Sequence, residues 1–188
     1  MQRSLSLLST AVLAAITLTT FLSSAHAFGQ TETVLYSFSA NGTDGYDPFG
    51  SLIPDAAGNL YGTTQYGGAH DVGTVFEFSP QSDGTWTEQI LYSFGGGEDG
   101  QYPAGSVIFD NAGNLYGATA GGGSGNGTVY ELSKSASGDW TETMLFRFPY
   151  TGGLYPQAGL TFDAEGNLYG TTLQAGANLY GAVFKITP

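Results

Sequence analysis

One pentapeptide, Gly-Asn-Leu-Tyr-Gly, occurs three times and constrains the fold more than any other feature of the chain. The copies begin at Gly58, Gly113 and Gly166, so their spacings are 113 − 58 = 55 and 166 − 113 = 53 residues. A period of this size is typical of repeat proteins, in which each repeat is one supersecondary unit packed against its neighbours. The chain is therefore expected to be an array of three similar units.

Each unit has the pattern of four short strands. An apolar run, the motif Asp-x-x-Gly-Asn and a second apolar run predict a β-hairpin whose turn is capped by the Asp side chain. A third run follows a Gly-rich loop, and a second turn leads to a fourth run, of which Ile90 to Phe94 is an alternating example. Four short strands in about 50 residues predict the blade of a β-propeller.

The two ends of the chain predict how the array closes. Residues 31–38 match the fourth strand of the later units, and Pro188 directly follows the third strand of the last unit. We therefore expect an all-β domain over residues 28–188 with three four-stranded blades, in which the N-terminal strand completes the last blade of its own chain or of a partner chain. The repeats are expected at about residues 31–86, 87–140 and 141–188.

Three blades are fewer than the roughly four to eight of closed propellers. Two chains that exchange their N-terminal strands would close a six-bladed dimer, and this homo-oligomer is the favoured prediction. A rotation that does not close would give a filament, and a truncated member of a longer array is a third alternative.

Residues 1–27 have the pattern of a secretory signal peptide. Arg3 precedes a mostly apolar segment from Leu7 to Phe21, and residues 25–27 read Ala-His-Ala, a small-x-small cleavage site. A retained membrane anchor is the alternative. The prediction is a secreted, extracellular protein without a membrane segment after cleavage.

Charge and cysteine content narrow the classes of partner. Without residues 1–27 the chain keeps three basic and sixteen acidic residues, so its net charge is 3 − 16 = −13. Such a surface repels nucleic acid and anionic lipid and favours small cationic partners. The chain has no cysteine, so a secreted form would depend on its core or on assembly rather than on disulfides.

The combination LYSF…DG…P…DxxGNLYGTT…GG…GTVF resembles the GloVer (Gloeo/Verruco) tandem repeat of bacterial proteins over residues 31–188. The resemblance implies an extracellular, propeller-like array. It implies no reaction and carries over no catalytic residues. This chain has three repeats, whereas relatives carry many copies, and it lacks the C-terminal sorting segment of many relatives. Free secretion is therefore expected rather than surface attachment.

Acidic residues cluster in two loops, the first after residues 31–38 and the second after the strand that ends at Phe94. Calcium binds clustered oxygen ligands, so the candidate metal ligands are Asp44, Asp47, Glu98 and Asp99. The third copy of the loop has lost its acidic residues. A solvated Gly-rich turn is the default interpretation of these loops, and the fold requires no cofactor.

Aromatic residues supply a second kind of candidate site. Aromatic rings beside Asp and Asn side chains can stack on sugars and bind their hydroxyl groups, as in a carbohydrate site between blades. The candidates for such a site are Tyr46, Tyr102, Tyr155, Trp86 and Trp140, among which the loop tyrosines are preferred. Packing between blades is the other role for these five residues, and it is the favoured interpretation.

The residues available for catalysis are few. Outside the predicted signal peptide the chain has one histidine, His70, and no Gly-x-Ser-x-Gly motif, which argues against serine, cysteine and zinc hydrolases. The glutamates at equivalent positions, Glu32, Glu88 and Glu142, suggest a structural role at a strand edge.

The function favoured by these patterns is a non-enzymatic binding or interaction module, with a glycan or another surface polymer as its ligand. A self-assembling structural protein is the first alternative. A glycan-active enzyme with a carboxylate pair is the second.

Overall fold

A computed structural model describes residues 31–123 and 125–187. Within this part of the chain the regular structure is β-strand only, which confirms the all-β prediction. The described residues include no helix that is long and apolar enough to cross a membrane. The predicted signal peptide, residues 1–27, lies outside the described residues.

The strands fall into three antiparallel sheets. Sheet 1 contains β1 (Gly45–Pro48), β2 (Ile53–Pro54), β3 (Leu60–Gly67), β4 (Thr74–Pro80) and β5 (Trp86–Ser93). Sheet 2 contains β6 (Gly100–Pro103), β7 (Ile108–Phe109), β8 (Leu115–Gly122), β9 (Thr128–Lys134) and β10 (Trp140–Arg147). Sheet 3 contains β11 (Thr161–Phe162), β12 (Leu168–Thr172) and β13 (Ala182–Ile186).

Sheets 1 and 2 have the same strand order, and sheet 3 repeats its central part. Sheet 1 runs β1-β3-β4-β5, with β2 beside β1 on the same edge of β3, and sheet 2 repeats this order as β6-β8-β9-β10. Sheet 3 runs β11-β12-β13. Consecutive antiparallel strands in such repeated sheets are the arrangement of propeller blades, as the sequence predicted. The short first strands β1 and β6 were missed, because each has only four residues and combines Gly, Pro and polar side chains.

The turn of each repeat is held by its aspartate, as predicted. Asp110 Oδ1 accepts hydrogen bonds from the backbone N–H groups of Ala112, at 2.8 Å, and Asn114, at 2.9 Å. Asp110 Oδ2 accepts from Asn114 Nδ2, at 2.8 Å, and from the Tyr116 hydroxyl, at 3.3 Å. The Asn and Tyr of the repeated pentapeptide therefore serve to hold the hairpin, and Asp55 and Asp163 make the same contacts.

The last glycine of the pentapeptide lies under an aromatic ring of the next strand. Gly62, Gly117 and Gly170 pair across the sheet with Phe76, Tyr130 and Phe184, respectively. A Cβ atom on any of these glycines would overlap the partner ring. The pattern Gly-Asn-Leu-Tyr-Gly thus encodes both a capped turn and a slot for an aromatic side chain.

The predicted closure by residues 31–38 is not formed within this single chain. These residues form no strand, and the compact unit that carries the sheets begins at Leu35. Tyr36 and Phe38 instead pack on sheet 1, with ring centroids 4.8 Å from Phe78 and 5.3 Å from Phe76, respectively. Completion of the last blade by a partner chain stays a prediction.

Candidate binding site at the loop ends of sheets 1 and 2

Three tyrosine rings form a row where β1, β3 and β6 meet. Tyr46 on β1 pairs with Tyr66 on β3, which stacks the rings at 5.5 Å between centroids with an interplanar angle of 21°. The ring of Tyr102, on sheet 2, lies 5.4 Å from Tyr66 at 60°. All three side chains are partly exposed. We call these three residues the tyrosine row.

A strained backbone holds Tyr102 against sheet 1. Its φ is 60°, an uncommon value for a bulky residue that persists only where the surroundings enforce it. Its N–H donates to the Val72 carbonyl of sheet 1 at 2.8 Å, and the next residue, Pro103, lies against Gly73. The position of this ring is therefore set by packing between two sheets.

Asp71 supplies the polar part of the site. Its Oδ1 atom accepts a hydrogen bond from the Tyr46 hydroxyl at 2.9 Å, and this bond raises the pKa of Tyr46. Tyr46 and Asp71 line an open depression of about 500 Å³ together with the exposed His70. Ring faces can stack on the C–H face of a sugar, and a neighbouring carboxylate can accept hydrogen bonds from its hydroxyl groups.

The structure joins two of the five predicted aromatic candidates. Tyr46 and Tyr102 meet through Tyr66, which the sequence reasoning missed. Tyr155 holds the same place on sheet 3 as Tyr102 on sheet 2, and its N–H donates to the Asn126 carbonyl at 3.0 Å.

The two tryptophans begin the outer strands β5 and β10. Trp140 lines a groove at the other end of β3, together with Tyr61, Phe109 and Lys134. Lys134 Nζ lies 5.4 Å from the centre of the Trp140 ring. Trp86 takes the corresponding place on sheet 1. The favoured loop tyrosines and the tryptophans therefore belong to different sites.

The predicted calcium ligands make local contacts. Asp44 Oδ2 accepts from the Ser39 N–H at 2.8 Å, and Asp99 Oδ2 accepts from the Gly95 N–H at 2.7 Å. Glu98 forms an exposed ion pair with Arg147 at 2.9 Å, and Asp47 is exposed. Residues 31–123 and 125–187 contain no group of three or more side chains that could hold a metal. Calcium binding stays a prediction.

A cluster of one tyrosine, one aspartate and one glutamate occurs twice in the fold. The Tyr36 hydroxyl lies 3.1 Å from Asp44 Oδ2 and 3.0 Å from Glu88 Oε2. In the second copy, the Tyr92 hydroxyl donates to Asp99 at 3.0 Å, and Glu142 lies nearby. Glu88 on β5 and Glu142 on β10 therefore lie on the outermost strands of their sheets, in line with the structural role at a strand edge that the sequence predicted.

Burial, and next the neighbouring aspartate charge, raises the pKa of Glu142 to about 7. Burial likewise raises the pKa of Glu88 to about 7 against the hydrogen bond from Tyr36, which lowers it. Both values exceed the 4.5 of an unperturbed glutamate. The folded protein therefore binds more protons than the unfolded chain between these two pH values.

We expect the free energy of unfolding to fall as pH rises from 4.5 to about 7. An acid whose pKa is raised on folding stabilises the folded protein only while it is protonated, and this stabilisation is lost as the acid ionises. Each glutamate should contribute about 1 kcal/mol, a value reduced for solvent screening of partly exposed groups. Urea unfolding of Glu88→Gln and Glu142→Gln should show added stability above pH 7 and none at low pH. The exposed Glu165→Gln is the control, and an equal gain there would contradict the assignment.

No curated protein matches the sequence. A crystal structure described as a candidate gluconolactonase is similar, with 20% identity and a TM-score of 0.42 over 73% of this chain. The chain spans 47% of the length of that structure. The family model described as the Gloeobacter/Verrucomicrobia repeat matches residues 19–188, and the chain is therefore a member of this repeat family.

Proposed function

We propose that the chain is an exported, non-enzymatic binding module whose ligand is a carbohydrate or another hydroxyl-rich surface polymer. The observation that carries this proposal is the tyrosine row beside Asp71. Aromatic rings that are partly exposed and fixed by packing lose little entropy on binding, and a few placed polar groups are enough to orient a ligand.

The charge of the chain favours a neutral ligand. Lys134, Arg147 and Lys185 are the only lysine and arginine residues outside the predicted signal peptide, and none of them lines the depression beside Tyr46. The carboxylate of Asp71 would repel an anionic polymer and would accept hydrogen bonds from neutral hydroxyl groups. A neutral glycan is therefore the proposed class.

Replacing Tyr66 with alanine should weaken glycan binding at least roughly tenfold, because removal of the middle ring separates the two outer rings and removes a stacking surface. A panel of soluble neutral oligosaccharides would first identify a ligand by saturable binding. Isothermal titration calorimetry of Tyr66→Ala would then measure the loss, with Tyr150→Ala, an exposed tyrosine outside the row, as the matched control. Equal affinity of wild type and Tyr66→Ala would contradict the proposal.

A further inference from the structure

The two internal junctions between sheets repeat the same backbone contacts. At the first junction the Tyr102 N–H donates to the Val72 carbonyl at 2.8 Å, and at the second the Tyr155 N–H donates to the Asn126 carbonyl at 3.0 Å. In both junctions the following proline lies against a glycine of the preceding sheet. One docking mode therefore joins sheet 1 to sheet 2 and sheet 2 to sheet 3.

Apolar side chains of each junction come from two matching positions. Val75 of sheet 1 and Val129 of sheet 2, which are equivalent, are both 0% exposed. On the opposite side of the junctions, Val107 of sheet 2 and Leu160 of sheet 3 are buried at a second equivalent position. Each junction thus has a carbonyl face, marked by the valine of the third strand, and an N–H face, marked by the residue before the hairpin.

The two terminal sheets leave one face of each kind open. Val183 marks the carbonyl face of sheet 3 and is 78% exposed, whereas Leu52 marks the N–H face of sheet 1 and is 45% exposed. Tyr180 occupies the position of the carbonyl acceptors Val72 and Asn126, and it is 93% exposed. The open faces are the two halves of the junction that the fold already forms twice.

Residues 36–38 are already placed for such a docking. Phe38 meets Phe76 edge to face at 5.3 Å, as Phe94 meets Tyr130 at 5.0 Å. Phe94 follows the outer strand of sheet 1 and packs on sheet 2, so Phe38 marks where the outer strand of a preceding sheet would end on sheet 1. In the described residues β13 pairs on one edge, with β12, so its other edge is open to this segment.

We propose that sheet 3 of one chain docks on sheet 1 of a second copy, and that two such junctions close a ring of two chains. The Asp47 N–H would donate to the carbonyl of Tyr180 in the second copy, and Pro48 would lie against its Gly181. The φ of Gly181 is 94°, and it is likewise positive at the equivalent Gly73 (108°) and Gly127 (99°). Leu52 would cover Val183. The N-terminal segment would add to β13 of the second copy, which removes an open strand edge.

The purified chain should sediment as a discrete dimer in analytical ultracentrifugation, with twice the mass of one chain. Val183→Asp should weaken the dimer roughly 100-fold, since it buries an unpaired charge at the junction. Because Val183 is exposed in the single chain, this variant should unfold at the same temperature as wild type when both are monomeric. Ala136→Asp, at an exposed position in the turn between β9 and β10 of sheet 2, is the control and should leave the dimer intact.

A mixing experiment tests whether the two faces are complementary. Leu52→Asp alone should be monomeric, as should Val183→Asp alone, because every junction then carries one charge. A mixture of the two variants should form dimers, since one of its junctions is wild type on both sides. A monomeric wild-type chain, a wild-type polymer of indefinite length, or variants that fail to complement each other would overturn the closed ring.

Discussion

Replacing Tyr130 with alanine is expected to lower the free energy of unfolding by about 4 kcal/mol, a value typical of truncating a buried aromatic side chain. Tyr130 is 0% exposed and belongs to the core between sheets 1 and 2. Its ring meets Phe94 edge to face at 5.0 Å and covers Gly117 across the sheet. Alanine would leave a cavity lined by both sheets. Urea unfolding followed by fluorescence would measure the loss.

The matched control is Tyr130→Phe. The Tyr130 hydroxyl is buried and has no hydrogen-bond partner among the described residues, and an unpaired buried hydroxyl is costly. Phe76 and Phe184 hold the equivalent positions in the other sheets. Phenylalanine should therefore be neutral or should stabilise the protein by up to about 1 kcal/mol. A loss as large as that of alanine would show that the hydroxyl, and not the ring, supports the core.

Replacing Gly117 with valine is expected to cost about 3 kcal/mol, the upper range for forcing extra volume into a packed core. A Cβ atom at this position would lie 2.5 Å from Cζ of Tyr130, a ring that is fully buried. The same urea measurement applies.

A double-mutant cycle separates steric overlap from loss of backbone freedom. If the overlap with the Tyr130 ring is the cause, then Gly117→Val should cost much less in a Tyr130→Ala background, because the valine would partly fill the new cavity. Additive losses in the double variant would instead assign the cost to the backbone of β8.

The sequence alone was enough to predict the repeat, its hairpin and the all-β fold class, because these depend on local chemistry. Asp110 caps its turn through neighbours at positions 112, 114 and 116, all within six residues, so every residue that forms the turn lies within the motif. The short inner strand β6 (Gly100–Pro103) was missed, because its pairing with β8 depends on contacts about 20 residues away and not on a local apolar pattern.

The tyrosine row was only partly predictable. Tyr46, Tyr102 and Tyr155 were grouped as loop tyrosines. Tyr102 and Tyr155 hold equivalent positions in their repeats, but Asp47 holds this position in the first repeat, and Tyr46 is the residue before it. Tyr66 was not singled out, because the register of β1 against β3 places it beside Tyr46, and the packing of sheet 2 on sheet 1 brings in Tyr102. Strand register and packing between sheets depend on long-range contacts, which the spacing of the repeats does not predict.

The most direct test of the proposed site is two-dimensional NMR of the ring resonances during titration with neutral oligosaccharides. We expect the signals of Tyr46, Tyr66 and Tyr102 to shift together and to saturate at one ligand concentration, while the indole signal of Trp140 stays unchanged. Shifts confined to Trp140 would place the ligand in the opposite groove, and unchanged tyrosine signals across the whole oligosaccharide panel would contradict a carbohydrate site at the tyrosine row.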